Sequence, residues 1–177
     1  GVHVVAFDER AGAQLAVEHL LDLGHRRIGY LGLGNRQRSN RLRLTGYRDA
    51  LQEAGIPPDP AWARIVPEAE MAALSDTGAG ERYLTALADA GTTAVFCYND
   101  RVAIGALVTC RRASIAVPGA LSLVGFDDIQ AARWVSPPLT TVRQPRRRMG
   151  QLAMGTMLDL LEDRPVGDHV LAPELVR

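Results

Sequence analysis

The stretch AVFCYNDRVAIGALVTCRR, residues 94–112, decides the fold class of this chain. Its first five residues are apolar or aromatic and predict a buried strand over 94–98, and the apolar spacing that follows predicts a helix over 101–112. Asn99 and Asp100 stand between these two elements. A buried strand followed at once by a helix is typical of a parallel sheet that is covered by helices.

The same alternation continues on both sides of this stretch. Further strands are predicted over residues 2–7, 28–33, 64–66, 121–126, 140–143 and 169–172. Further helices are predicted over residues 12–23, 40–54, 80–90 and 146–162. This order predicts an α/β fold in three layers, with a mostly parallel sheet between two layers of helices.

Composition narrows the classes of function that this chain can perform. Twenty Lys and Arg balance twenty Asp and Glu, so no excess of positive charge is available to hold a nucleic acid backbone. Cys97 and Cys110 lack CxxC spacing and are expected to be buried thiols, so no metal or other cofactor is expected. No signal peptide or spanning segment is legible, which predicts a cytoplasmic protein. The apolar run already under way at Gly1 predicts that further sequence precedes it.

Polar residues follow four of the predicted strands and are the candidate ligand contacts. They are Asp8, the segment 34–43, Asn99 with Asp100, and Asp127 with Asp128. In an open α/β sheet, ligands bind beyond the carboxyl ends of the strands, where these residues converge. Carboxylate and amide oxygens accept hydrogen bonds from hydroxyls, and arginine donates in a planar fork. The set therefore predicts a polyhydroxylated or heterocyclic ligand.

Each of these residues also has a purely structural interpretation. Asn99, Asp127 and Asp128 stand where helix N-caps stand, although a capping residue can still present a free oxygen to a ligand. Arg41 and Arg43 can belong to a solvated helix face, as can the run 146–148, for which a partner surface is the alternative. No nucleophile motif, metal-ligand spacing or convergent pair of carboxylates is legible, which disfavours an enzyme.

Five motifs, in order along almost the whole chain, resemble the LacI/GalR family of transcriptional regulators. They are LGHRRIGYLG at 23–32, RLRLTGYRDALQEAGI at 41–56, VFCYND at 95–100, VPGALSLVGFDD at 117–128 and SPPLTTVRQP at 136–145. The last motif favours the regulators over secreted sugar-binding proteins of the same fold, which are the alternative. A small α/β enzyme is the less favoured alternative.

The resemblance implies the periplasmic-binding-protein-like fold of type I, which has two lobes and binds an effector between them. It assigns residues 8–142 and 166–177 to the C-terminal lobe, and residues 1–7 and 143–165 to the lobe crossing and a remnant of the N-terminal lobe. In the family, operator DNA is bound through a helix-turn-helix domain. That domain is absent from this sequence, so these residues alone are not expected to bind the operator. The resemblance also implies a homodimer.

Three effector contacts carry over from the family by position: Arg43, Asn99 and Asp127. Gln144, in the VRQP stretch at the lobe crossing, is expected to face the cleft as a fourth contact. The effector implied is a sugar-like or nucleobase-like small molecule, and the function is ligand-responsive regulation of transcription rather than catalysis. Two departures leave the identity of the effector open. Tyr98 stands where the family often has a small residue, and EAEMAALSDTG, residues 68–78, replaces a segment that usually contains an aromatic residue.

Overall fold

The computed structural model describes residues 3–177, so Val2, which the sequence predicts to begin the first strand, lies outside the described residues. The strands are β1 (Val5–Phe7), β2 (Ile28–Leu33), β3 (Ala63–Val66), β4 (Ala94–Cys97), β5 (Ser122–Asp127), β6 (Thr140–Arg143), β7 (His169–Leu171) and β8 (Glu174–Val176). The helices are α1 (Glu9–Asp22), α2 (Gln37–Glu53), α3 (Glu68–Met71), α4 (Asp76–Asp89), α5 (Asp100–Arg112) and α6 (Arg146–Leu161).

Six strands form the main sheet in the order β3-β2-β4-β5-β6-β8. All pairs are parallel except β6 with β8, which is antiparallel. The predicted α/β class with a mostly parallel sheet is therefore confirmed. Because β2, β4, β5 and β6 run in one direction, the residues that follow them lie at the same edge of the sheet.

Alternate strand residues pack against helices on opposite faces of the main sheet. Tyr30, Phe96 and Phe126 lie in the cluster that also contains the buried side of α1 and α2. Leu31 and Cys97 lie in the cluster with α4 and α5. Both faces of the sheet are therefore covered, which explains why its central strands are continuous apolar runs in the sequence.

A second sheet contains only β1 and β7, which pair in parallel. The backbone amide of Asp8 continues this pairing by donating to the carbonyl of Leu171 at 3.1 Å. The sequence predicts one final strand over 169–172, whereas the structure has β7 there and, after two further residues, a second short strand at Glu174–Val176. The second strand, β8, was not predicted, because three residues carry too little periodicity to identify a strand.

Helix α6 differs from the other long helices because none of its side chains is buried among residues 3–177. Met154, Met157 and Leu161 are all exposed large apolar side chains. A regular apolar stripe at helical spacing usually covers a neighbouring element. This helix therefore presents an apolar surface that residues 3–177 leave uncovered.

Helices α4 and α5 approach each other unusually closely at two glycines. A Cβ atom built on Gly105 would lie 1.9 Å from the carbonyl oxygen of Thr77, and one on Gly80 would lie 2.0 Å from the carbonyl oxygen of Val102. Real side chains essentially never approach a backbone atom this closely. The two glycines therefore set the distance between the helices that cover one face of the sheet.

Candidate functional site

A cleft of about 500 Å³ lies at the carboxyl edge of the main sheet. The four residues predicted as ligand contacts, Arg43, Asn99, Asp127 and Gln144, all line it. Arg43 lies on α2, and Asn99 directly precedes α5. Asp127 ends β5, and Gln144 follows β6. The structure thus brings the predicted residues together at one place, as expected for residues that follow parallel strands.

Arg43 forms the floor of the cleft and is almost entirely buried, with 3% of its surface exposed. Its Nε donates to Glu9 Oε2 at 2.7 Å, and its Nη1 donates to the carbonyl oxygen of Tyr98. The guanidinium carbon lies 3.7 Å from the centre of the Phe126 ring and 4.4 Å from that of Tyr98. These contacts hold the guanidinium in one orientation, with Nη2 directed towards Asp127 Oδ1 at 3.7 Å.

Asp127 ends β5 with its carboxylate in the cleft. Its Oδ1 accepts a hydrogen bond from Gln144 Nε2 at 2.7 Å, and the structure gives Oδ2 no protein partner among residues 3–177. Burial raises the pKa of this carboxyl group, while the positive charges of Arg43 and Arg146 oppose the increase. Oδ2 is therefore the acceptor that a ligand hydroxyl or amino group can reach.

Asn99 is the N-cap of α5, as the structural interpretation predicted. Its Oδ1 accepts from the backbone amide of Val102 at 2.9 Å, and its Nδ2 donates to Asp76 Oδ2 at 2.8 Å. A carboxamide nitrogen carries two hydrogens, so one remains for a ligand. Capping and ligand contact are thus compatible at this residue.

Asp128 does not share the cleft with its neighbour Asp127. Its Oδ2 accepts from Arg143 Nε at 2.7 Å and from Arg133 Nη2 at 3.2 Å. Neither aspartate caps a helix in the structure, so the N-cap interpretation was wrong for both. The two carboxylates have different partners and do not converge on one position.

The turn at Asp127 and Asp128 has an unusual backbone. Their φ angles are +110° and +49°, in the region that side chains with a Cβ rarely adopt. Such strain persists only where surrounding contacts maintain it, and it is common at ligand sites. Here the ion pairs of Asp128 hold the turn from one side and the buried carboxylate of Asp100 holds it from the other.

Asp100 is fully buried and joins this turn to the main sheet. Its Oδ2 accepts from the backbone amide of Ile129 at 2.8 Å, and its Oδ1 accepts from the Thr141 hydroxyl. Gly125 leaves room for this carboxylate, because a Cβ atom there would lie 2.2 Å from Oδ1. Burial raises the pKa of Asp100 to about 6, although both hydrogen bonds act to lower it.

An Asp100→Asn variant is expected to gain stability relative to the parent protein as the pH rises. The pKa of Asp100 is about 6 in the folded protein and near 4 when unfolded, so the folded state binds the proton more tightly. As the pH rises, the parent therefore loses free energy of unfolding, mainly between pH 4 and pH 6. The variant has no carboxyl group at this position and does not show this loss. Urea unfolding at pH 4.5 and at pH 7.5 measures the free energy of unfolding of both proteins. The value for the variant relative to the parent should increase by roughly 2 kcal/mol from the lower to the higher pH. A difference independent of pH would contradict this assignment.

Several cleft residues were not predicted as ligand contacts. Glu9 looks in sequence like an ordinary acidic residue of a first helical turn, and only the fold places it against Arg43. Tyr98 was noted as a departure from the family pattern, and its hydroxyl lies 2.7 Å from the Ser39 hydroxyl. Asp76 reaches the cleft from the start of α4. These groups extend the alternation of acceptors and donors across the floor.

Residues 3–177 contain neither a group of side chains arranged to bind a metal ion nor a helix able to span a membrane. No three His, Cys, Asp or Glu side chains in this range are grouped as they would be around a metal ion. None of the helices in the same range has the length and hydrophobicity to cross a lipid bilayer. Both cysteines are free and buried, as predicted.

Comparison with known proteins identifies the chain at the level of a family. The family description "Periplasmic binding protein-like domain" matches residues 17–177. The HTH-type transcriptional regulator GalR of Escherichia coli is 43% identical over 98% of this chain, which covers 50% of that protein. The chain thus spans about half the length of this curated relative.

Solved structures of regulators show the same fold. A regulatory protein of the LacI family from Chloroflexus aggregans is 29% identical, with a TM-score of 0.91, over 100% of this chain and 63% of that one. A LacI family regulator from Enterococcus faecium with bound ribose is 28% identical, with a TM-score of 0.85, over 99% of this chain and 63% of that one. The periplasmic-binding-protein-like fold predicted from the motifs is confirmed.

Proposed function

Because this chain belongs to the LacI/GalR family of transcriptional regulators, we propose that its cleft binds a small-molecule effector that controls DNA binding by the whole protein. The observation that carries the proposal is the convergence of Arg43, Asn99, Asp127 and Gln144 on one cleft. Since the chain covers half of a relative such as GalR, operator binding is proposed for the complete protein and not for this part alone.

The chemistry of the floor favours a ligand that carries several hydroxyl or ring-nitrogen groups, hence a sugar-like or nucleobase-like effector. Arg43 Nη2 and the free hydrogen of Asn99 Nδ2 are donors, whereas Asp127 Oδ2 is an acceptor. A polyol can satisfy both kinds of group at once. The Enterococcus relative with bound ribose supports a sugar-like effector for this chain as well.

Control of DNA binding requires the effector to distinguish two arrangements of the lobes. We propose that residues 8–142 and 166–177 form the C-terminal lobe, and that residues 1–7 and 143–165 form the lobe crossing and a remnant of the N-terminal lobe. The uncovered apolar side of α6, with Met154 and Met157 exposed, supports this division. β1 and β7 pair in a sheet separate from the main one, so we propose that β7, which the sequence analysis assigns to the C-terminal lobe, belongs with the crossing instead.

A transport-type sugar-binding protein of the same fold is the first alternative. It would bind an effector in the same cleft but would not change affinity for DNA. The identity to GalR over nearly the whole chain favours the regulator. The test is whether the effector changes binding of the complete protein to DNA from its own promoter region. A change is expected for a regulator and not for a transport protein.

A small enzyme is the second alternative, and we propose that the protein is not one. Asp127 and Asp128 face different partners, so they do not form an acid and base pair. His25 Nε2 lies 3.0 Å from the Ser122 hydroxyl, but His25 Nδ1 lies 3.0 Å from the Thr93 hydroxyl, and no carboxylate of residues 3–177 orients the ring. These residues adjoin the amino ends of β4 and β5, at the edge of the sheet opposite the cleft.

We further propose that the complete protein is a cytoplasmic homodimer, which suits the reading of a palindromic operator. Trp134 is 72% exposed and lines a cavity of about 310 Å³ with the apolar residues Ile104, Leu107, Val108 and Val135 and with the polar residues Arg111 and Ser136. An exposed aromatic residue in an apolar surface is typical of protein interfaces. Sedimentation of the complete protein should give the mass of a dimer, and a monomer at micromolar concentration would contradict this.

A thermal-shift screen of the complete protein against sugars, sugar acids, sugar phosphates, nucleosides and purines tests the function. A ligand that binds only the folded state raises its apparent stability, by about 2.7 kcal/mol at a hundredfold excess over Kd. We expect a stabilising compound from the sugar or nucleobase classes. Failure of every class to stabilise the protein would contradict an effector-binding role.

A further inference from the structure

Three exposed arginines line the cleft above its floor and are here called the rim arginines: Arg36, Arg101 and Arg146. They come from three different elements, namely the residue before α2, the first turn of α5 and the first residue of α6. None of the ion pairs among residues 3–177 includes any of them. Among residues 3–177, the only hydrogen bonds made by the guanidinium groups of these arginines are those of Arg146 Nη2 to the backbone carbonyls of Asp127 and Asp128, at 3.2 and 3.4 Å.

The carboxylates of the cleft are already engaged with other groups. Glu9 pairs with Arg43 at 2.7 Å, Asp76 accepts from Asn99, and Asp127 accepts from Gln144. Each of these acids therefore has a hydrogen-bond or ion-pair partner other than the rim arginines. The cleft lining contains four Arg and three acidic side chains, an excess of one positive charge, and within residues 3–177 no carboxylate forms an ion pair with a rim arginine.

We infer that the effector carries an anionic group, a carboxylate or a phosphate, at the end that lies against the rim arginines. The inference rests on the proposed function and narrows its ligand class to sugar acids and sugar phosphates. Guanidinium groups match the oxygen atoms of carboxylate and phosphate in a planar fork, and hydrogen bonds between ionised partners are the strongest of their kind. The hydroxylated end of the same molecule contacts Arg43, Asn99 and Asp127 on the floor.

The location of the rim arginines argues against a purely solvated role. Arg48, which lies on α2 with Arg43, is exposed in the same way but faces away from the cleft. Arg36, Arg101 and Arg146 instead reach a common cavity from separate parts of the chain. Like charges that line one cavity repel one another, and an anion bound between them offsets this repulsion.

Titration calorimetry of the complete protein with matched compounds tests the inference. The probes are glucose, gluconate and glucose 6-phosphate, together with ribose and ribose 5-phosphate. We expect an anionic member to bind at least about tenfold more tightly than its neutral counterpart, with an affinity that falls as salt concentration rises. Preference for gluconate or for a phosphate ester identifies which of the two anionic groups the rim accepts.

Variants of the rim arginines test whether these residues cause the preference for an anionic compound. Arg36→Gln and Arg101→Gln should each weaken binding of the anionic compound by about fivefold to tenfold. Neither variant should change the affinity for a neutral sugar. Arg48→Gln is the matched control and should leave both affinities unchanged. If a neutral sugar binds as tightly as its anionic counterpart, the inference is wrong and the proposed function stands. If none of these probes binds while a neutral nucleoside or purine stabilises the protein in the thermal-shift screen, the inference is likewise wrong; if nothing binds in either assay, the proposed function itself is wrong.

Discussion

An Arg43→Met variant is expected to lose about 3 kcal/mol of free energy of unfolding, and with it the binding of any effector. Arg43 is buried, and its removal leaves Glu9 without its ion-pair partner at 2.7 Å and the carbonyl of Tyr98 without its donor. Removal of one partner from a buried pair costs more than the pair contributes, because the remaining charge stays desolvated. Chemical unfolding, compared with the parent protein, measures the loss.

A double variant separates this explanation from simple loss of packing. Glu9→Gln combined with Arg43→Met removes the uncompensated charge while it retains the size of both side chains. We expect the double variant to be more stable than Arg43→Met alone by about 1 kcal/mol or more, which is the signature of coupled residues. A double variant that is less stable than Arg43→Met would show that charge is not the cause.

A Gly105→Ala variant is expected to lose about 3 kcal/mol, a decrease in Tm of roughly 6 to 12 °C. The new methyl group would lie 1.9 Å from the carbonyl oxygen of Thr77, so α4 and α5 must separate. This separation outweighs the gain of about 1 kcal/mol that alanine brings to a helix.

Gly78→Ala, in the neighbouring turn of α4, is the matched control. Its Cβ atom would lie no closer than 3.3 Å to any neighbour, and that neighbour is the end of the Ser75 side chain. We expect a change of less than about 1 kcal/mol. Equal losses in the two variants would contradict the close packing of α4 on α5.

The convergence of the site residues could be predicted because it depends on the order of strands and helices alone. Asn99 follows β4, Asp127 ends β5 and Gln144 follows β6, and parallel neighbours present such residues at one edge. The positions of the strands were legible from apolar runs that end abruptly at polar residues. Sequence reasoning was therefore reliable where a local pattern determines the direction of the chain.

The roles of individual side chains depended on contacts that no local pattern reveals. Arg41 and Arg43 lie two residues apart on α2, yet Arg41 is exposed and Arg43 is buried. Which side of the helix faces the sheet is decided by packing against α1 and by Glu9. The difference between Asp127 and Asp128 likewise follows from positive φ angles, which short-range sequence does not specify for aspartate.

Helices α1 and α4 begin earlier than predicted because a capping side chain satisfies a backbone amide of the first turn. Helix α1 begins at Glu9, three residues before its predicted start, because Asp8 caps it through the amide of Ala11 at 2.9 Å. Helix α4 begins at Asp76 rather than at Gly80, since Ser75 caps it. In both places the capping residue was present in the sequence, but the apolar spacing begins later than the helix.

Calorimetric titration of the first stabilising effector into the parent protein, Asp127→Asn and Asp128→Asn is the most direct test of the cleft as an effector site. The two variants make the same chemical change one residue apart, in a carboxylate that faces the cleft and in one held by Arg143 and Arg133. We expect Asp127→Asn to weaken binding by about a hundredfold, because a hydrogen bond from the ligand loses its ionised acceptor, and Asp128→Asn to weaken it far less. Equal affinity of the parent and Asp127→Asn would contradict the assignment of this cleft as the effector site.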